Sequence, residues 1–102
     1  MPDSDGYPTN KELRTIESWD TIHNLRGLLL YIGDVWWAPE FGYELRGKHV
    51  LWLDLHTGGW SGNEDIISSL KKNLMFWIMG WQKSTRGGHF YFKFDKIKKR
   101  KK

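Results

Sequence analysis

The sequence contains no cysteine among its 102 residues. This excludes disulfides, thiolate metal ligands and a cysteine nucleophile, and it fits an intracellular setting. No run of about 18 consecutive apolar residues occurs, so no helical membrane span is expected. The opening MPDSDGYPTN is polar and acidic, unlike a secretory signal or a transit peptide. The phosphate-cradling spacings G-x-x-x-x-G-K-[ST] and G-x-G-x-x-G are missing, and so are H-x-H and H-E-x-x-H. No internal repeat is evident. What the chain has in quantity is aromatic rings. They make up 16% of it, seven of them tryptophan, so large rings must fill much of the core. With 39% hydrophobic residues the chain is too apolar for disorder, and its length suits one domain with one modest core.

The net charge of +4 hides an asymmetry. Residues 96–102, KIKKRKK, hold six basic side chains: Lys96, Lys98, Lys99, Arg100, Lys101 and Lys102. Removing these six from the sixteen Lys and Arg leaves ten, against twelve Asp and Glu, so residues 1–95 carry a net charge of −2. A slightly acidic body thus bears a basic tail. Such a tail attracts phosphate or an acidic surface in a salt-dependent way; the plainer reading is a solvated terminus.

Residues 1–8 read as a loose leader and residues 9–95 as a single domain. Thr9 and Glu12 form a capping-box pattern ahead of a short helix, NKELRTIES. Asp20 is placed to cap a second helix, TIHNLRGLLLYIGDVWW, whose Ile22, Leu25, Leu28, Leu29, Ile32 and Trp36 recur at helical spacing. Close packing is expected at its Gly27 and Gly33. APEFG ends it, since proline disfavours helical geometry at the preceding residue. YELR and HVLWLDLHT then read as a hairpin. A two-residue Gly47-Lys48 turn pairs Glu44 with Leu51 and Leu45 with Val50, and a longer turn shifts that register. Val50 and Trp52 on one face and Leu51, Leu53 and Leu55 on the other suggest a central strand covered on both sides. EDIISSLKKN reads as a helix. LMFWIMGWQKST and HFYFKF read as a second hairpin closed by Gly87-Gly88. Its core face would carry Met75, Trp77, Met79, Trp81, Phe90, Phe92 and Phe94. Gln82, Ser84, Arg86, His89, Tyr91 and Lys93 would lie opposite. The order helix, helix, hairpin, helix, hairpin implies an α+β fold, a four-stranded and mostly antiparallel sheet with helices packed on it.

The stretch TGGWSGNED is the least ordinary. Ser61 and Glu64 match a capping box, Trp60 is placed to pack toward Ile66, and Gly58, Gly59 and Gly62 suit a sharp strand-to-helix corner. A glycine-rich turn into a helix also suits an anion, but Glu64 and Asp65 would repel phosphate there. Gly59-Trp60-Ser61-Gly62-Asn63 does not match the G-x-S-x-G nucleophile elbow. Asp54 and His56 alternate on a strand, and with Glu64 and His89 they would suit a divalent ion if the hairpins adjoin. His23 and His49 read as surface or satisfied polar residues. In RGGH the glycines serve a tight turn. Arg86, His89, Tyr91 and Lys93 form a basic and aromatic face that suits single-stranded nucleic acid or a protein partner.

The segments YPTNKELRTIESWD, TGGWSGNEDII, NLMFWIMGW and STRGGHFYF together resemble a group of short, uncharacterised proteins of phages, prophages and other mobile elements. That group shares a GGWSGNE-like corner, an aromatic FW…W strand and an RGGHY-like turn; here Phe90 stands in the tyrosine's place. The resemblance spans most of residues 7–94. It implies a mobile-element origin and brings no catalytic residue or cofactor. It also implies one of two kinds of role, occupying a surface of host machinery or binding nucleic acid.

The leading expectation is a non-enzymatic binding module in the cytoplasm of a host cell, with no cofactor, no metal and no membrane partner. Trp60, Arg86, His89, Tyr91 and Lys93 would meet a host or mobile-element protein, for example in a defence system. Lys98, Lys99, Arg100, Lys101 and Lys102 would add attraction. Direct nucleic-acid binding is the alternative and a metal-dependent nuclease the third reading. Exposed aromatics also suit a homodimer seam.

Overall fold

The structure, a computed structural model, describes residues 7–95. The expected tail, and residues 1–6 of the expected leader, lie outside the described residues. Five helices and four strands follow in the order α1 (Asn10–Glu17), α2 (Leu25–Val35), α3 (Pro39–Gly42), β1 (Tyr43–Arg46), β2 (Leu51–His56), α4 (Ser61–Lys72), α5 (Leu74–Gly80), β3 (Trp81–Thr85) and β4 (His89–Phe94). The strands form one antiparallel sheet in the order β1-β2-β4-β3, with helices packed on it. This is the α+β architecture expected from the sequence.

The core lies between the sheet and the helices. Leu51, Leu53 and Leu55 of β2 and Phe92 and Phe94 of β4 point into it. They meet Ile16 of α1, Leu28, Leu29 and Ile32 of α2, Ile66 and Leu70 of α4, and Phe76 of α5. The capping box of α1 is present: Glu12 N donates to Thr9 Oγ1 at 3.1 Å and Thr9 N to Glu12 Oε1 at 2.9 Å. Gly33 admits the ring of Tyr43, which would lie 2.8 Å from a Cβ there.

Several local expectations are corrected. α2 starts at Leu25, capped by Asn24, whose Oδ1 accepts from Gly27 N at 3.1 Å. Asp20 instead closes the preceding turn, accepting from His23 N at 3.3 Å and meeting His23 Nδ1 at 2.8 Å. These His23 contacts hold the Asp20 carboxyl below its usual range. Ile22 therefore lies outside the helix and is exposed. APEFG does not merely end α2: Pro39 opens the one-turn α3, entered through Ala38 at φ 51°, a left-handed conformation for a non-glycine residue. The first hairpin has the longer turn, since Arg46 pairs with Trp52 and Leu45 with Leu53. β2 is central in the sheet, but only its leucine face is covered; Trp52 is exposed on the other.

The largest correction concerns 74–80. This stretch is a helix, with Phe76 and Gly80, four apart, facing inward, while Met75 is exposed. β4 is only six residues long and pairs from Trp81 onward, so LMFWIMG has no strand to join. Asn73 starts the helix by accepting from Phe76 N at 3.2 Å. Gly80 then lets α5 close on the sheet, because a Cβ there would collide with the ring of Phe94. In the second hairpin Thr85 pairs with His89 across a three-residue Arg86-Gly87-Gly88 turn. An irregularity between Trp81 and Lys83 shifts the register.

Candidate functional site

The two glycine-containing bends meet. Antiparallel pairing of β2 with β4 sets His56 opposite His89, so the end of β2 runs beside the Arg86-Gly87-Gly88 turn. Thr57 N donates to Gly88 O at 2.9 Å. Gly88 has φ 80°, and a Cβ on it would lie 2.1 Å from Thr57 Oγ1, so both backbone shape and space require glycine there. His56 Nδ1 and His89 Nδ1 lie 2.6 Å apart, so one donates and the other accepts.

The TGGWSGNED corner is built around two buried side chains. Thr57 accepts from Gly59 N and donates to Glu64 Oε2, each at 3.4 Å. Asn63 bonds Trp37 in both directions, its Oδ1 accepting from Trp37 N at 2.9 Å and its Nδ2 donating to Trp37 O at 3.2 Å. The loop after α2 is thereby tied to the start of α4. Trp60 sits in a three-ring stack, 4.9 Å from Tyr7 and 4.6 Å from Trp37 between ring centroids. Gly62 leaves room for that ring, which would lie 2.8 Å from a Cβ at this position. Gly58 and Gly59 make an exposed left-handed turn at φ 62° and 76°.

The expected capping box at Ser61 and Glu64 is not formed. Trp60 is the N-cap residue, its carbonyl accepting from Glu64 N at 3.1 Å, and no side chain caps the helix. The helix starts one residue early, which leaves Ser61 in the first turn with its hydroxyl 3.4 Å from Tyr7 Oη. Trp60 is likewise held between Tyr7 and Trp37 rather than against Ile66.

From this corner the face of the sheet away from the helices extends in cross-strand rows. Arg46, Trp52 and Lys93 form one, with the Arg46 guanidinium 5.7 Å and the Lys93 ammonium 5.0 Å from the Trp52 ring. Glu44, Asp54, Tyr91 and Lys83 form the next, with Lys83 5.2 Å from the Tyr91 ring. His56, His89 and Thr85 form the third, beside the corner. Arg46 also pairs with Asp54 at 3.2 Å and Glu44 at 3.3 Å. A groove of about 540 Å³ runs among Arg46, Trp52, Asp54, Gln82, Lys83 and Tyr91. His89, Tyr91 and Lys93 are half-buried in this face, and Arg86 is exposed at its tip.

Sequence reasoning placed His89, Tyr91 and Lys93 but missed Arg46, Trp52 and Lys83. One signal was present: along β2, leucine alternates with Trp52, Asp54 and His56, which is the pattern of a half-covered strand. Lys83 joins the face only because of the irregularity in β3. Of the four residues considered for a divalent ion, His56 and His89 touch, Asp54 is paired with Arg46, and Glu64 takes the Thr57 hydroxyl. Among the described residues, no group of three or more His, Cys, Asp or Glu is placed to hold one metal ion. No helix among them is long and apolar enough to cross a membrane. Compared with protein-family profiles, curated proteins and solved structures, the chain matches none.

Proposed function

We propose that this chain is a non-enzymatic binding module, a small accessory protein of a phage or other mobile element acting in the cytoplasm of a host cell. It engages a host or mobile-element protein through the Arg86 tip, the adjoining corner and the open face of the sheet. One observation carries the reading: the bond from Thr57 N to Gly88 O joins the two bends into one surface, continuous with the ring-bearing rows of the sheet. Tyr, Trp and Arg are the residues that most often anchor protein interfaces, and Tyr91, Trp52 and Arg86 supply them here. Trp60, expected as a direct anchor, serves by holding the corner in shape.

The test is a pull-down with tagged protein from nuclease-treated host lysate, comparing wild type with Arg86→Ala and with Trp52→Ala/Tyr91→Ala. The expected result is a protein partner retained in moderate salt and lost by the variants. A partner captured equally by all three would defeat the assignment of this face. The rings of Trp52 and Tyr91, each under a cation, favour single-stranded nucleic acid as a second reading. It predicts that retention falls steeply with salt and disappears after nuclease treatment.

A further inference from the structure

We propose that His56 and His89 form a binding site for a divalent transition-metal ion of tetragonal preference, with copper(II) bound most tightly. β2 and β4 are the two inner strands, and their antiparallel register sets the two histidines directly opposite each other on the open face. Side chains at such positions start from Cβ atoms about 5 Å apart. Here they converge: the two Nδ1 atoms lie 2.6 Å apart and the rings meet edge to face, with centroids 4.8 Å apart. An imidazole nitrogen without a proton carries a lone pair, and two lone pairs cannot face each other at that distance with nothing between them. The arrangement calls for an electrophile. One proton meets the need, and so does one metal ion. With the metal bound, the donor histidine carries its proton on Nε2 instead of Nδ1, so no proton is lost from the pair. Both histidines are half-buried, so an ion can reach them from solvent while the strands hold them in place.

Distance and ligand count select the ion. Metal–imidazole bonds of about 2.0 Å at a right angle put the nitrogens about 2.8 Å apart, near the 2.6 Å found here, whereas a tetrahedral angle needs about 3.3 Å. Zinc also favours three or four protein ligands. Asp54 and Glu64, the carboxylates considered with this pair, are engaged elsewhere, Asp54 with Arg46 and Glu64 with the Thr57 hydroxyl. Copper(II) accepts two imidazoles with water in its remaining positions, and it stands at the top of the divalent affinity order. Its binding ties β2 to β4 one residue before Thr57, whose N–H donates to Gly88 O, so the ion clamps the junction of the two bends.

The experiment titrates the full chain with copper(II), using glycine as a competing chelator to suppress weak surface sites, and repeats the titration with zinc(II). The variants are His56→Gln and His89→Gln, with His23→Gln/His49→Gln as the control for the other two histidines. The expected result is one copper(II) per chain in the wild type and in the control. The electron paramagnetic resonance spectrum of the wild type, recorded without glycine, should show two imidazole nitrogens. Loss of an outer-shell partner already costs about tenfold in metal affinity, so loss of either ligand should cost at least that. Copper(II) should also raise the urea midpoint of the wild type and leave that of both single variants unchanged. Circular dichroism checks that the variants fold, and the wild-type spectrum decides the matter if they do not. No stoichiometric binding, a single nitrogen in the spectrum, undiminished affinity in either single variant, or zinc(II) bound as tightly as copper(II) would overturn the proposal. The protein-binding reading does not need the ion, so failure here leaves it standing.

Discussion

Asn73 joins three parts of the fold with one buried amide. Its Oδ1 accepts from Phe76 N and Thr21 Oγ1, both at 3.2 Å, and its Nδ2 donates to Ile16 O at 2.9 Å and Trp19 O at 3.1 Å. Truncation would strand several buried groups, each costing about 1–3 kcal/mol, so Asn73→Ala should lower stability by about 3 kcal/mol, read as a shifted urea midpoint. Gly88→Ala would push a methyl group into Thr57 and force a left-handed alanine, and should cost about 2 kcal/mol. It should also separate the two bends, seen as chemical-shift changes at both Thr57 and His89; changes confined to the turn would argue against their coupling. Tyr43 adds a pH dependence. Its hydroxyl donates to Leu29 O, and burial, with a smaller contribution from Asp34, pushes its pKa up to about 12. A raised pKa means that the fold favours the protonated phenol. Its contribution is complete below the ordinary value of about 10 and is lost as pH rises from there through about 12. Stability should fall across that window, and less steeply in Tyr43→Phe, which should cost about 1 kcal/mol at neutral pH. An identical alkaline slope in the variant would remove Tyr43 from the account.

The helices and strands were legible where one pattern acted alone. Thr9 with Glu12 announced α1, and the leucines of β2 announced a buried strand face, because caps and alternation are local. α5 was not legible. LMFWIMG has no charged or amide residue to mark a period, and alternating Met75, Trp77 and Met79 imitates a strand; only the six-residue length of β4 and the Asn73 cap decide for a helix. The glycine bends could be read as turns, but not their meeting, which depends on β2 pairing with β4. The rows of the open face depended on register, which a longer connection and one irregularity set against the simplest turns. Strand order has its own consequence. β2 and β4 are each paired on both sides, whereas among the described residues β1 and β3 each have one unpaired edge, and every residue of β3 is exposed. Hydrogen exchange should therefore be slowest in β2 and β4, approaching the global unfolding free energy, and faster in β3. Equal protection across all four strands would indicate that something covers the β3 edge in solution.

The sheet separates two surfaces. Phe76 of α5 packs on Phe92 and Phe94 from the helix side, while Trp52, Tyr91 and the Arg86 tip belong to the opposite face and its rim. If the open face binds a protein as proposed, the contact rests on Trp52, Tyr91 and Arg86, in a body (residues 1–95) whose net charge is only −2. Moderate salt should then change the affinity little, because ring contacts are not screened. A substitution on the helix side should leave the partner bound as tightly as before. Ile78, 76% exposed on α5, is the position to alter, and Ile78→Ser should keep the wild-type dissociation constant in a titration with the captured partner. A loss of binding in Ile78→Ser, with Trp52→Ala/Tyr91→Ala unaffected, would move the contact to the helix side and withdraw the open face as the binding surface.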